Sequence, residues 1–99
     1  MSSNLHKEHR ERVRKEFLEH GFADDVAPHK LLEMLLFFSI PRKDTNEIAH
    51  RLLDTFGSLN GVLNASYEQL LEVEGMGESS ALLISLIPGI SRRYIERAD

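Results

Sequence analysis

Glycine and proline cut this 99-residue sequence into helix-length blocks, and that punctuation constrains the fold more than any other feature. Between Gly21, Pro28, Pro41, Gly57, the Gly75-Met76-Gly77 triplet and the Pro88-Gly89 pair, strict apolar/polar alternation never persists long enough for a sheet strand. The fold class expected is all-α, a single compact helical domain over 1–99. Residues 5–20 form a first block with Ser3 or Asn4 as cap, Gly21 as stop, and Leu5, Val13, Phe17 and Leu18 as a thin apolar side. Residues 28–39, introduced by Asp24, Asp25 and Pro28, are apolar nearly all round through Leu31, Leu32, Met34, Leu35, Leu36, Phe37 and Phe38. That pattern predicts a central buried helix, ended by Ile40-Pro41.

Asp44 with Glu47 three residues on forms a capping box for a helix to Phe56, with Ile48, Leu52, Leu53 and Phe56 inward. Ser58 caps a short helix through Asn64, and Ser66 with Gln69 makes another box before a helix ending near Leu71. The last block starts near Glu78 and carries Ala81, Leu82, Ile84 and Leu86. Pro88-Gly89 should break or kink it, leaving Ile90, Tyr94 and Ile95 on a final helix with Arg92, Arg93 and Arg97 outward.

Composition narrows the chemistry. With 41% hydrophobic and 28% charged residues the chain is in the globular range, and with no cysteine it has no disulfide, thiolate metal site or cysteine nucleophile. The start has no signal-like apolar run and the longest apolar stretch, residues 34–38, is too short for a membrane span, so a soluble cytoplasmic chain is expected. Twelve Lys and Arg against sixteen Asp and Glu give a net charge of −4, which opposes tight binding to phosphate. His6 with His9, and Glu47 with His50, each offer two helical metal ligands, too few for a site. No serine has a local histidine base, so no enzyme activity is expected of this chain.

The segment 70–84 holds a Gly-x-Gly between two helical blocks, in which the glycines allow a tight turn and the amides opening the second helix can face a phosphate oxygen. Met76 would anchor that turn, and Ala81 would keep the paired helices close. No strand precedes it and no third glycine follows at dinucleotide-fold spacing. Residues 52–66 repeat the helix, glycine turn, helix order about twenty residues earlier, an imperfect internal duplication. Phe56 and Leu59 read as core residues holding the first turn.

Residues Leu53-Asp54-Thr55-Phe56-Gly57-Ser58-Leu59, Ala65-Ser66 and Val73-Glu74-Gly75-Met76-Gly77 resemble tandem helix–hairpin–helix domains of DNA-repair proteins. With His9-Arg10-Glu11-Arg12, Phe17-Leu18, Leu31-Leu32-Glu33, Leu35-Leu36, Ile40-Pro41-Arg42-Lys43-Asp44-Thr45-Asn46 and Ile48-Ala49, nearly the whole chain is similar to the N-terminal domain of the RadC family. The resemblance implies an N-terminal helical region over 1–43 and a tandem helix–hairpin–helix region over 44–97. In that family such a domain precedes an MPN-type domain carrying a His-x-His; this sequence has none and looks like a detached N-terminal domain, with Asp99 near the linker. The implied function is non-sequence-specific DNA binding through hairpin amides, around Gly75, Gly77, Ser79 and Ser80 and, at the first turn, Gly57, Ser58 and Asn60. Arg42, Lys43, Arg92 and Arg93 are weaker basic candidates. A basic side chain commonly stands where this chain has Ser79, and Glu72, Glu74 and Glu78 crowd the turn. The class also sometimes holds a sodium or potassium ion on turn carbonyls, here those of Leu71, Val73 and Met76. The competing reading is a protein-interaction or self-association domain that docks a second copy or its own C-terminal domain. Arg10, Arg12, Arg14 and Lys15 alternate with glutamates, and pairs such as Glu8–Arg12 and Glu11–Lys15 predict a salt-bridged exposed helix.

Overall fold

A computed structural model of the chain describes residues 2–20, 26–41 and 43–96, with 2–6 and 20 as backbone only. The described residues are all-helical and free of strand. Their helices are α1 (Ser2–His20), α2 (Pro28–Phe37), α3 (Thr45–Phe56), α4 (Leu59–Asn64), α5 (Tyr67–Leu71) and α6 (Glu78–Glu96). They fall into two compact units, Met1–His50 and Arg51–Asp99, with the boundary inside α3. Gly21, Asp24, Asp25, Arg42, Arg97 and Asp99, and the side chain of His6, lie outside the described residues.

In the first unit α1 packs on α2. Pro28 occupies the first turn of α2, where its missing amide leaves no bond unmade, and Ala27 lends its carbonyl to the amides of Lys30 and Leu31. The helix closes by tightening: Phe38 N donates to Leu35 O at 3.2 Å and Ile40 N to Leu36 O at 2.8 Å, so the chain turns before Pro41. Val13, Leu32, Leu36, Phe37, Ile40, Ile48 and Ala49 are buried. Two expectations are corrected. Leu18 is 82% exposed, because it stands one residue, about 100°, beyond the side shared by Val13 and Phe17. Phe38 is 77% exposed, since the helix has ended at Phe37.

The larger correction is inside α2, which is not apolar all round. Glu33 is only 1% exposed. Its Oε2 lies 2.6 Å from His9 Nε2 on α1, and Asn46 Nδ2 donates to its Oε1 at 3.4 Å. Beside it Arg10, also buried, donates from Nη2 to Lys43 O at 3.0 Å and stands 5.0 Å from the Phe37 ring centroid. Burial lowers the Arg10 pKa and Arg14 adds to that, while Glu33 opposes it. The ion pair on the outer side of α1 reaches across to α2, Lys30 Nζ to Glu16 Oε1 at 3.2 Å, and is not one of the expected pairs within α1.

In the second unit α4 and α5 each pack against α6, over Leu52, Val62, Leu70, Val73, Ala81 and Ile84. The capping expectations appear as geometry. Ser58 Oγ accepts from Gly61 N at 3.0 Å, and Ser66 and Gln69 close a reciprocal box, with Gln69 N to Ser66 Oγ at 3.1 Å and Ser66 N to Gln69 Oε1 at 2.9 Å. Asp44 Oδ1 likewise takes the amides of Asn46 and Glu47 at the start of α3. Of the break or kink expected at Pro88, the break is absent: α6 is one helix of 19 residues with Pro88 inside it. Proline removes a single amide, and the bonds on either side carry the helix through.

Candidate nucleic-acid interface

The second unit contains two glycine turns, one between α3 and α4 and one between α5 and α6. Each depends on a backbone that an L-residue adopts only under strain. Gly57 has φ +87° and Gly75 has φ +96°. At the first turn Gly57 N donates to Leu53 O at 2.7 Å, closing the end of α3, and Ser58 then caps α4. Ser58 and Asn60 are exposed. At the second, Met76 N donates to Val73 O at 3.0 Å, and Gly77 O receives Ala81 N at 3.0 Å as the first bond of α6. A Cβ at Gly77 would meet nothing within 4 Å, so open space lies over this glycine. The amides of Glu78 and Ser79 follow at the helix start, where no intrahelical carbonyl reaches them and the helix dipole presents partial positive charge. Ser79 is exposed, whereas Ser80 is 2% exposed, so its hydroxyl is withdrawn from any ligand and only its amide could face one. Met76 is half-buried rather than an anchor deep in the core.

Arg51 is the residue at this turn that sequence reasoning missed. From α3 its Nη1 donates to Glu74 O at 3.2 Å, pinning the backbone just before Gly75. No local spacing signals it, because the contact joins residues 23 apart. It is also the basic group of a cleft of about 620 Å³ whose other charged lining residues are Asp54, Glu72 and Glu74. Arg51→Ala is expected to lower stability by about 1 kcal/mol and to speed amide exchange of Gly75 and Gly77 about tenfold relative to α6, as read by NMR. Unchanged exchange at those amides would remove the pinning role.

With this geometry fixed, sequence comparison supplies relatives. A UPF0758 protein of Fusobacterium nucleatum is 41% identical over 87 residues, covering 88% of this chain and 37% of that protein. A UPF0758 protein of Ruegeria pomeroyi is also 41% identical over 87 residues, covering 38% of its own length. The chain is a homologue of the UPF0758, RadC-family proteins. A UPF0758 protein of Rhodobacter capsulatus is 38% identical over 81 residues, 82% of this chain and 37% of that protein. This UPF0758 homologue thus spans between a third and two-fifths of the length of the relatives it matches. No family model matches it, and neither does any solved structure.

The remaining candidates in the UPF0758 homologue do not gather at the turn. Arg92 and Arg93 are exposed near the other end of α6, about 21 Å along the axis from Glu78 at 1.5 Å per residue. Lys43 is exposed in the first unit, its carbonyl taken by Arg10. Of the carbonyls considered for sodium or potassium, that of Val73 already accepts Met76 N, and the neighbouring Glu74 carbonyl takes the Arg51 guanidinium. Of the histidines considered for metal whose side chains are described, His9 pairs with Glu33, and the His50 ring stacks on His29 at 4.7 Å between centroids. No group of three or more His, Asp or Glu able to hold a metal occurs among the described residues, and none of their helices is long and apolar enough to cross a membrane.

Proposed function

We propose that this chain is a non-sequence-specific DNA-binding module of a RadC-like protein, built on tandem helix–hairpin–helix units over 44–97, with any catalysis left to further sequence of the kind its longer relatives possess. The observation that carries the reading is the open approach over Gly77 to the first amides of α6. The earlier turn supports it, since Gly57 repeats the positive-φ glycine of Gly75 ahead of a second helix, α4. Phosphate contact through amides is indifferent to base sequence. Glu72, Glu74 and Glu78 are all exposed at the second turn and make binding weak.

Fluorescence anisotropy with single-stranded, duplex and branched oligonucleotides tests this at two salt concentrations. The expected result is weak, sequence-independent binding that falls steeply with salt. Gly77→Ala tests the amides without disturbing the fold, because its new methyl group occupies only open space. It should lower affinity about tenfold with the helical circular dichroism unchanged. Gly75→Ala is the poorer probe, since φ +96° strains any side chain there. Ser79→Lys, which places an ammonium at the exposed start of α6, should raise affinity and steepen the salt dependence. Absence of binding at low salt above a charge-matched control protein would reject the proposal.

A further inference from the structure

Along most of its length α6 carries an apolar row that the other described residues leave exposed. Leu82, Leu86, Ile90 and Tyr94 are between 50 and 76% exposed. They stand four residues apart, so successive side chains advance only about 40° round the helix and form one continuous ridge about 18 Å long. Apolar residues scattered singly over a surface need no explanation, but a row of four on one helix does. The buried face of the same helix, through Ser80, Ala81 and Ile84, is already used by its own unit.

The net charge flanking the ridge reverses along it. Exposed Glu74 and Glu78 stand at the N-terminal end of α6, whereas exposed Arg92 and Arg93 outnumber the one exposed carboxylate, Glu96, at the C-terminal end. We infer that the ridge pairs with the same ridge of a second copy of this chain, the two α6 helices running antiparallel about a two-fold axis at Leu86. In that register Leu86 meets its own equivalent, Leu82 meets Ile90, and Glu78 lies opposite Tyr94, one residue from Arg93. The acidic end of each helix then faces the basic end of the other. A parallel arrangement would set like charge on like charge. The antiparallel pair also opposes the two helix dipoles and makes one self-complementary patch, as a two-fold interface requires. A lipid surface would draw in the arginine end and repel the glutamate end, so the reversal favours a second copy over a membrane. An interface of one helix pair is small, which sets the expected dissociation constant at about 10–100 µM.

Sedimentation equilibrium of the 99-residue chain from about 5 to about 500 µM tests the pairing. The expected mass rises with concentration toward twice the 11.3 kDa of one chain. Leu86 is half-exposed, so Leu86→Glu leaves the fold intact while placing two carboxylates on the axis; it should raise the dissociation constant about thirtyfold or more. Glu78→Arg and Arg93→Glu should each weaken association about fivefold, and the double exchange should restore it to about the starting value. That rescue distinguishes the antiparallel register from general stickiness. A chain that stays monomeric at the highest concentration overturns the inference, as does a dimer indifferent to Leu86→Glu or a double exchange no stronger than the singles. A monomer that instead co-sediments with anionic phospholipid vesicles assigns the ridge to a lipid surface and overturns it equally.

Discussion

Gly61→Ala is expected to destabilise the second unit by about 3 kcal/mol, at the upper end of what overpacking usually costs, and to lower its melting temperature by more than about 10 °C. The chain turns so sharply from α3 into α4 that a Cβ on Gly61 would collide with the Phe56 carbonyl oxygen and lie 3.3 Å from Phe56 Cβ. The obstruction is backbone, so no side-chain rotation relieves it. Either α4 moves away from the end of α3, loosening buried Val62, or the Ser58 cap that accepts Gly61 N is strained. Helix propensity acts in the opposite direction, since alanine in place of a helical glycine normally stabilises by about 1 kcal/mol. Gly89 isolates that term. It lies inside α6, and a Cβ there meets only Arg92 Nη2, at 3.9 Å. Gly89→Ala should therefore stabilise the chain by about 1 kcal/mol while Gly61→Ala destabilises it, two helical glycines with effects of opposite sign. Urea unfolding followed by circular dichroism reads both. If Gly61→Ala lies within about 0.5 kcal/mol of the unsubstituted chain, the close approach of α4 to α3 is wrong.

The contrast shows what kind of information the sequence carries on its surface. Ser58, the Ser66–Gln69 box and Asp44 are legible because a capping side chain bonds to an amide two or three residues away, within the span of a motif. Gly57 is legible for a similar reason, as the residue that must turn left after a helix. Gly61 carries no comparable signal, since it sits among helix-compatible neighbours and is required by a carbonyl from the preceding helix. Arg51 looks like any exposed helical arginine until α5 and the turn after it bring Glu74 alongside. Pro88 cannot by itself tell a break from a continuing helix: it lacks an amide, yet a long helix packed along one side by α4 and α5 runs on through it. At the candidate interface, motif spacing located both glycine turns. It could not say that Ser80 faces inward while Ser79 faces out, which depends on the angle at which α6 meets its neighbours.

Glu33→Ala is expected to destabilise the first unit by about 3–4 kcal/mol, because it removes the acceptor around which three segments are arranged. Carboxylates are seldom fully buried unless partnered, and Glu33 has His9 on one oxygen and Asn46 on the other. Without it, His9 loses its contact across to α2, Asn46 loses the bond that ties the start of α3 inward, and the hole falls beside buried Leu32 and Leu36. Arg10 suffers as well. Burial and Arg14 already work against its positive charge, and Glu33 opposes them. Removing that carboxylate leaves a buried guanidinium held only by the Lys43 carbonyl and the Phe37 ring. Glu33→Gln separates shape from charge: it fills the same space and can accept from either His9 or Asn46, but gives Arg10 no counter-charge, so an intermediate loss of about 2 kcal/mol is expected. The charge component should couple to Arg10. In a double-mutant cycle the loss from Glu33→Gln should shrink by at least about 1 kcal/mol in an Arg10→Met background, where no buried guanidinium is left to neutralise. Equal losses in both backgrounds would mean that Glu33 acts only as a hydrogen-bond acceptor for His9 and Asn46, and that Arg10 is held by its carbonyl and ring contacts alone.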